Sequence, residues 1–249
     1  PVVDHGVQVE TTLHLAGLVE PQRRRNSPWA GLNIQTEKLA SKIPHVMIVI
    51  TKGETGGAQS HVLALCQALQ QQANFTVVIG GPIEQSILGR NLAAIGITVY
   101  PMPDMVESLN PAKLWPAIKQ LIDLIAAFPP DIIHAHSAIA GLIARLACKS
   151  TSRPVIYTVH GFGFKHEIPL LRRIASVMAE RMMARWTTHM ICVSKYEREL
   201  AYGLAIAPER IHVIANGIAR SPDAKVVQTE SAHGTPRLIM VARMKSPKR

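Results

Sequence analysis

Seven short apolar runs punctuate the chain from Val46 onward: "VMIVI" (46–50), "FTVVI" (75–79), "ITVYP" (97–101), "DIIHA" (131–135), "VIYTV" (155–159), "HMICV" (189–193) and "IHVIA" (211–215). They are rich in β-branched residues and have strand length. Between them, residues 60–72, 111–128 and 169–186 repeat apolar positions at helical spacing. Strands that are almost continuously apolar and alternate with helices predict an α/β fold, a doubly wound Rossmann-like parallel sheet covered on both faces. Ligands of such sheets bind at the carboxyl ends of the strands.

The periodic part is expected to form one domain over residues 44–220. Residues 1–43 lack periodicity and contain the basic "PQRRRNSPWAG" (21–31), so they read as a flexible extension. The Ser-, Asp-, Gly- and Pro-containing stretch at 221–235 reads as an interdomain linker. Residues 236–249, with the apolar "RLIMVARM", read as the first strand of a second, truncated domain. Both chain ends are therefore expected to be cut.

Lys and Arg outnumber Asp and Glu by 27 to 17, a formal charge of +10 that favours an anionic partner. Aromatic residues make up 4% of the chain, too few for nucleic-acid binding by base stacking. Cys66, Cys148 and Cys192 are far apart in apolar segments and read as buried small hydrophobes, not a disulfide framework or zinc site. Neither a membrane-spanning run nor a secretory signal is apparent. A cytoplasmic location is expected.

Candidate chemistry sits at the predicted strand ends. After the first strand, "KGETGGAQSH" places Gly53, Gly56 and Gly57 where a helix should begin. The spacing is not G-x-G-x-x-G, and the second strand ends in "VVIGGP" without the acid that would meet an NAD ribose. No Gly-Lys-Ser/Thr supplies a nucleotide P-loop. Two readings remain: glycines for a tight turn, or a loop that admits a ligand to backbone amides. His134 and His136 alternate onto one side of the fourth strand, followed by Ser137. No third metal ligand has suitable spacing, so packing or hydrogen bonding at the cleft rim is expected. His160, followed by Gly161 and Gly163, is placed to donate a hydrogen bond or proton to a substrate. Ser194 and Glu197 match a capping box, and Asn216-Gly217 is a turn signal.

Taken in order, "GGAQSHV", "DIIHAHS", "YTVHGF", "ICVSKYERELA", "VIANGI" and "LIMVARMKSPKR" resemble the family 4 glycosyltransferases of the GT-B fold, those of bacterial surface polysaccharide or lipid-linked saccharide in particular. The resemblance covers about residues 44–249 and implies the acceptor-side half of a two-domain enzyme that retains anomeric configuration. By that resemblance Gly56 and Gly57 close on the donor diphosphate, Arg243 and Lys248 supply it with positive charge, and His160 orients and stabilises the transferred sugar. Asn216 lies at the domain crossover on the donor side, and His136, Ser137 and Ser194 fall on the acceptor or cleft side. The implied substrates are a nucleotide sugar and a saccharide or lipid-linked acceptor, with no cofactor and no metal needed for chemistry. The chain stops before the paired acidic motif of the family's second domain, so a non-catalytic domain that binds an acceptor or partner is the contrasting reading. A nucleotide-sugar epimerase or dehydrogenase is a third, disfavoured by the missing NAD acid.

The segment 164–186, "FKHEIPLLRRIASVMAERMMARW", carries five basic residues against two acids among Leu, Ile, Met and a terminal Trp. Its apolar stripe fits either core packing or an interfacial helix, the latter implying peripheral attachment to an anionic membrane surface.

Overall fold

In the strand β1 (His45–Ile50) consecutive side chains turn to opposite faces of a sheet, and both sets are buried. Met47 and Val49 join a core cluster on one face, while Val46, Ile48 and Ile50 join another on the opposite face. The computed structural model describes residues 43–165 and 169–217. Its further strands are β2 (Asn74–Gly80), β3 (Thr98–Met102), β4 (Ile132–His136), β5 (Val155–Val159), β6 (His189–Cys192) and β7 (Ile211–Val213). All pairs are parallel, in the order β3-β2-β1-β4-β5-β6-β7. The sheet is thus wound outward in both directions from β1 and β4, and the crevice of such a sheet opens at the carboxyl ends of those two strands.

The helices are α1 (Gly57–Leu69), α2 (Ile87–Ala94), α3 (Pro111–Ala127), α4 (Ala138–Thr151), α5 (Leu170–Met183) and α6 (Lys195–Ala201). Val62, Leu65, Cys66 and Leu69 of α1 and Leu88 and Leu92 of α2 pack on one face of the sheet. Ala117, Leu121 and Ile125 of α3 and Ala140, Ile143, Ala144 and Ala147 of α4 pack on the other. The doubly wound architecture follows. The three cysteines are free and buried, and burial pushes their thiols up to about 12.

Each of the seven strands predicted between residues 46 and 215 is present within two residues of its expected ends. Two helices, α2 and α4, were not anticipated. Ahead of α2 the Ser86 hydroxyl accepts the Gly89 amide at 2.8 Å, whereas α4 springs from β4 with a single intervening residue, Ser137, whose side chain makes no cap. Helix α1 begins at Gly57, three residues ahead of the periodic stretch, because small residues there complete its first turn without a buried side chain. The expected extension up to residue 42, the linker at 221–235 and the strand-like run at 237–249, with Arg243 and Lys248, lie outside the described residues.

In α5 the apolar stripe does not follow the core-packing reading of its sequence. Met183 is the buried residue of α5, whereas Leu170, Leu171, Ile174, Met178 and Met182 are exposed, Leu171 to 79%. The stripe that a core helix would bury faces outward. Among the described residues no helix is long and apolar enough to cross a membrane.

Candidate active site

The site is set by strand register. Ile50 pairs with His136, and His136 with Thr158, so β1, β4 and β5 end side by side. Alternation places Ile132, His134 and His136 of β4 on the face covered by α1, as the sequence pattern predicted for the two histidines. On β5, Ile156 and Thr158 share that face, and His160 continues their alternation just past the strand end. His136 Nδ1 and His160 Nε2 lie 3.0 Å apart and share a hydrogen bond, with the rings stacked at 5.3 Å between centroids. His134 Nε2 is 2.7 Å from the Thr158 hydroxyl.

A fourth imidazole joins them. His61 of α1 is buried, with its ring 5.6 Å from that of His136 and 5.5 Å from that of His160. Sequence reasoning passed over His61 as one apolar-face position of a helix. The available signal was its placement one turn beyond Gly57, which the switch-point geometry brings over β4. Burial drives all of the strand-end histidines toward the neutral form: His160 is pushed down to about 4, His134 to about 3, and His136 well below its ordinary value with the neighbouring imidazoles adding to the effect. These rings are therefore hydrogen-bonding groups at neutral pH, not cations. His134 Nδ1, His136 Nε2 and His160 Nδ1 are buried without a hydrogen-bond partner among the described residues, so the cluster keeps polar capacity in reserve. Among the described residues no group of three or more His, Cys, Asp or Glu is arranged to hold a metal ion.

The glycine turn divides into two parts. A Cβ on Gly53 would collide with Ser86, the N-cap of α2, whose Leu88 amide also donates to the Gly53 carbonyl at 3.0 Å. Gly53 is there for close packing. A Cβ on Gly57 would meet nothing, and one on Gly56 only the end of the Gln59 side chain. Gly56 is the N-cap of α1 in extended conformation and offers no side-chain cap, and the first turn carries no acid. The first turn thus has open space beside Gly57, no side-chain cap and the positive end of the helix dipole, conditions that favour an anion at a helix start.

Ser137 acts as a brace at the crevice. Its hydroxyl lies 2.5 Å from the Thr51 hydroxyl, which in turn accepts the Ala140 amide at 3.1 Å, tying β1 to the start of α4. A φ of 79° at this non-glycine residue is strained backbone held by those bonds. Ser194 caps α6, accepting the Glu197 amide at 3.2 Å, as its capping-box spacing predicted. Glu197 is itself buried and accepts the Phe162 amide at 3.3 Å, fixing the loop that follows His160. Asn216 is exposed at the carboxyl edge beyond β7. The structure thus joins His136 and His160 directly and puts the start of α1 over them, while Ser137, Ser194 and Asn216 border the same edge separately. A cleft of about 150 Å³ adjoins it, lined by Met105 and Val106 as well as the polar side chains of Lys52, Glu54, Gln85 and Glu107, with Lys52 and Glu107 paired at 2.6 Å. None of these polar cleft residues was singled out from the sequence, since their convergence depends on the β1-β2-β3 order.

Comparison with known proteins bears on this arrangement. A galactosyltransferase of Escherichia coli, UDP-Gal:alpha-D-GlcNAc-diphosphoundecaprenol alpha-1,3-galactosyltransferase, is 27% identical over 124 residues, 49% of this chain and 32% of its own. The O-antigen biosynthesis glycosyltransferase WbnH of Escherichia coli is 25% identical over 209 residues, 82% of this chain and 56% of its own. The crystal structure of Anabaena Alr3699/HepE in complex with UDP matches with a TM-score of 0.56 at 16% identity, covering 72% of this chain and 47% of that one. The chain spans about a third to just over half the length of these relatives, and the structural likeness is one of fold. The family model for Glycosyltransferase Family 4 matches residues 55–221, from the glycine turn past β7, and the chain belongs to that family.

Proposed function

We propose that this chain is the acceptor-side part of a retaining glycosyltransferase that moves a sugar from a nucleotide sugar to a saccharide or lipid-linked acceptor in cell-surface glycan synthesis. The observation that carries the reading is the neutral His136–His160 pair beneath the open, uncapped start of α1 at the sheet's switch point. In the reaction the bond from the sugar's anomeric carbon to the donor phosphate oxygen breaks, the diphosphate leaves with the electron pair, and an acceptor hydroxyl bonds to the same carbon and passes its proton to an oxygen of the departing diphosphate. Amides near Gly56 and Gly57, with Arg243 and Lys248, offset charge on the departing diphosphate. His160, oriented by His136, hydrogen-bonds the transferred sugar, and Asn216 shapes the donor side of the cleft. No metal takes part. The galactosyltransferase relative uses a UDP sugar and a diphosphoundecaprenol-linked acceptor, so uridine donors and prenyl-linked acceptors are the first to test.

The outward apolar face of α5, flanked by exposed Arg172, Arg173, Arg181 and Arg185, supports peripheral contact with the inner face of the cell membrane, where such an acceptor would reside. The test of the donor assignment is the thermal midpoint of the full-length protein across a panel of nucleotide sugars. A specific donor raises the midpoint in a concentration-dependent way, and failure of the whole panel to do so overturns the assignment.

A further inference from the structure

We infer that a cavity between α4, α5 and the loop after β5 is a binding pocket for the hydrocarbon chain of an amphiphilic acceptor. The cavity has a volume of about 130 Å³, with apolar walls from Leu109, Ile139, Leu142, Phe162, Phe164 and Met183. Most of its surface is apolar, so about one isoprene unit of a hydrocarbon chain placed there leaves water, the rest of a longer chain staying outside the opening.

The buried charges on its wall do not change this. Arg145 Nε donates to the Gly141 carbonyl at 2.8 Å, and its two terminal nitrogens donate to the Glu180 carboxylate at 2.8 and 3.3 Å. Its guanidinium also stacks over the Tyr157 ring, 4.4 Å from the centroid. Each side of the guanidinium fork is thereby taken up, so the pocket selects a neutral hydrocarbon over a phosphate or carboxylate.

Position ties the pocket to the site. Phe162 and Phe164, stacked at 4.8 Å, follow His160 directly in the chain, and Ile139 stands in the first turn of the helix that follows His136. Leu109, 60% exposed, and the exposed Gly163 border the opening. One helix, α5, lines the pocket with Ser176, Ala179 and Glu180 and turns its other face, the exposed apolar stripe, outward. A hydrocarbon chain held here would have its polar end at the carboxyl edge of the sheet, the edge at which β5 gives way to His160, on the face opposite the imidazole cluster.

The biological meaning rests on the lipid-linked acceptor proposed above, but the test requires no donor. Farnesol, in vesicle-free buffer below its aggregation limit, is titrated into the protein and followed by thermal unfolding and by nuclear Overhauser contacts to the Phe162 and Phe164 rings. Wild type should give a saturable rise in midpoint with those contacts. Ser176→Leu and Ala179→Leu, which fill the pocket from α5, should bind farnesol at least tenfold more weakly while still sedimenting with anionic vesicles. No saturable response in wild type, or undiminished binding in both filled variants, overturns the pocket. Should both variants fail to fold, absence of the Phe162 and Phe164 contacts in wild type overturns it equally. Loss of sugar transfer with farnesol binding intact would instead count against the glycosyltransferase reading alone.

Discussion

The three glycines of the first loop have separable roles, and substitution tells them apart. Gly53→Ala forces a methyl group into the side chain of Ser86 and should destabilise the protein by about 1–3 kcal/mol, the usual cost of overpacking. Gly57→Ala enters open space in a helical position and should leave stability unchanged or raise it by up to about 1 kcal/mol. Urea denaturation of both variants checks the contrast, which reverses if Gly57 is the glycine the fold needs. At the histidines the sign of the pH effect is fixed by burial. Folding lowers the affinity of His160, His134 and His136 for protons, so between the ordinary value of 6.5 and the depressed values near 4 and 3 the unfolded chain binds more protons than the folded one. Their contribution is therefore intact above about pH 6.5 and is lost progressively as the pH falls toward 4 and 3. Unfolding midpoints measured from pH 8 to pH 4 should decline below 6.5, and the decline should be shallower in His134→Gln.

Among the elements, the clasp between α4 and α5 is the sharpest test of packing. Arg145→Ala would strand Glu180 beneath α5 and should cost about 3–5 kcal/mol, whereas Arg145→Met with Glu180→Leu should come close to wild type. Equal losses in the single and double variants would mean that shape, not charge, holds the helices together. The strands were legible because each is a short β-branched run bounded by polar or turn residues, and their alternation predicted that His134 and His136 share a side. Helix α4 was less legible: the chain passes from His136 to Ala138 through one strained serine, a transition with no turn residue to mark it. The orientation of α5 was not legible at all. An apolar stripe has the same period whether it faces the core or the solvent, and here a partner 35 positions earlier in the chain, Arg145, draws Glu180 inward and turns the stripe out. His61 was missed for a related reason, since its meaning comes from His136 and His160, 75 and 99 positions further along, which the fold brings against it. The capping role of Ser194 was legible because a cap is a local bond.

At the scale of the whole molecule, α5 brings exposed apolar and basic residues together on one surface. The stripe of α5 and the arginines around it should bring the protein to vesicles containing anionic lipid, more strongly at low salt than at high, with little recovery on neutral vesicles. Arg172→Glu with Arg173→Glu should lower co-sedimentation through charge, and Ile174→Ser with Met178→Ser through lost apolar contact. Equal recovery on neutral and anionic vesicles would remove the electrostatic part of the argument. In the full-length protein Arg243→Ala or Lys248→Ala should weaken donor binding and transfer by roughly tenfold to a thousandfold, the scale of losing a charged stabiliser. The central claim is that sugar transfer is organised around His160 at the switch point. Its most direct test is transfer of labelled sugar from the donor that stabilises the full-length protein to a prenyl-linked acceptor, with and without EDTA, by wild type and by His160→Ala. The account predicts transfer by wild type unaffected by EDTA, and turnover at least a hundredfold lower in a folded His160→Ala protein that still binds donor. Transfer by His160→Ala at the wild-type rate would contradict it.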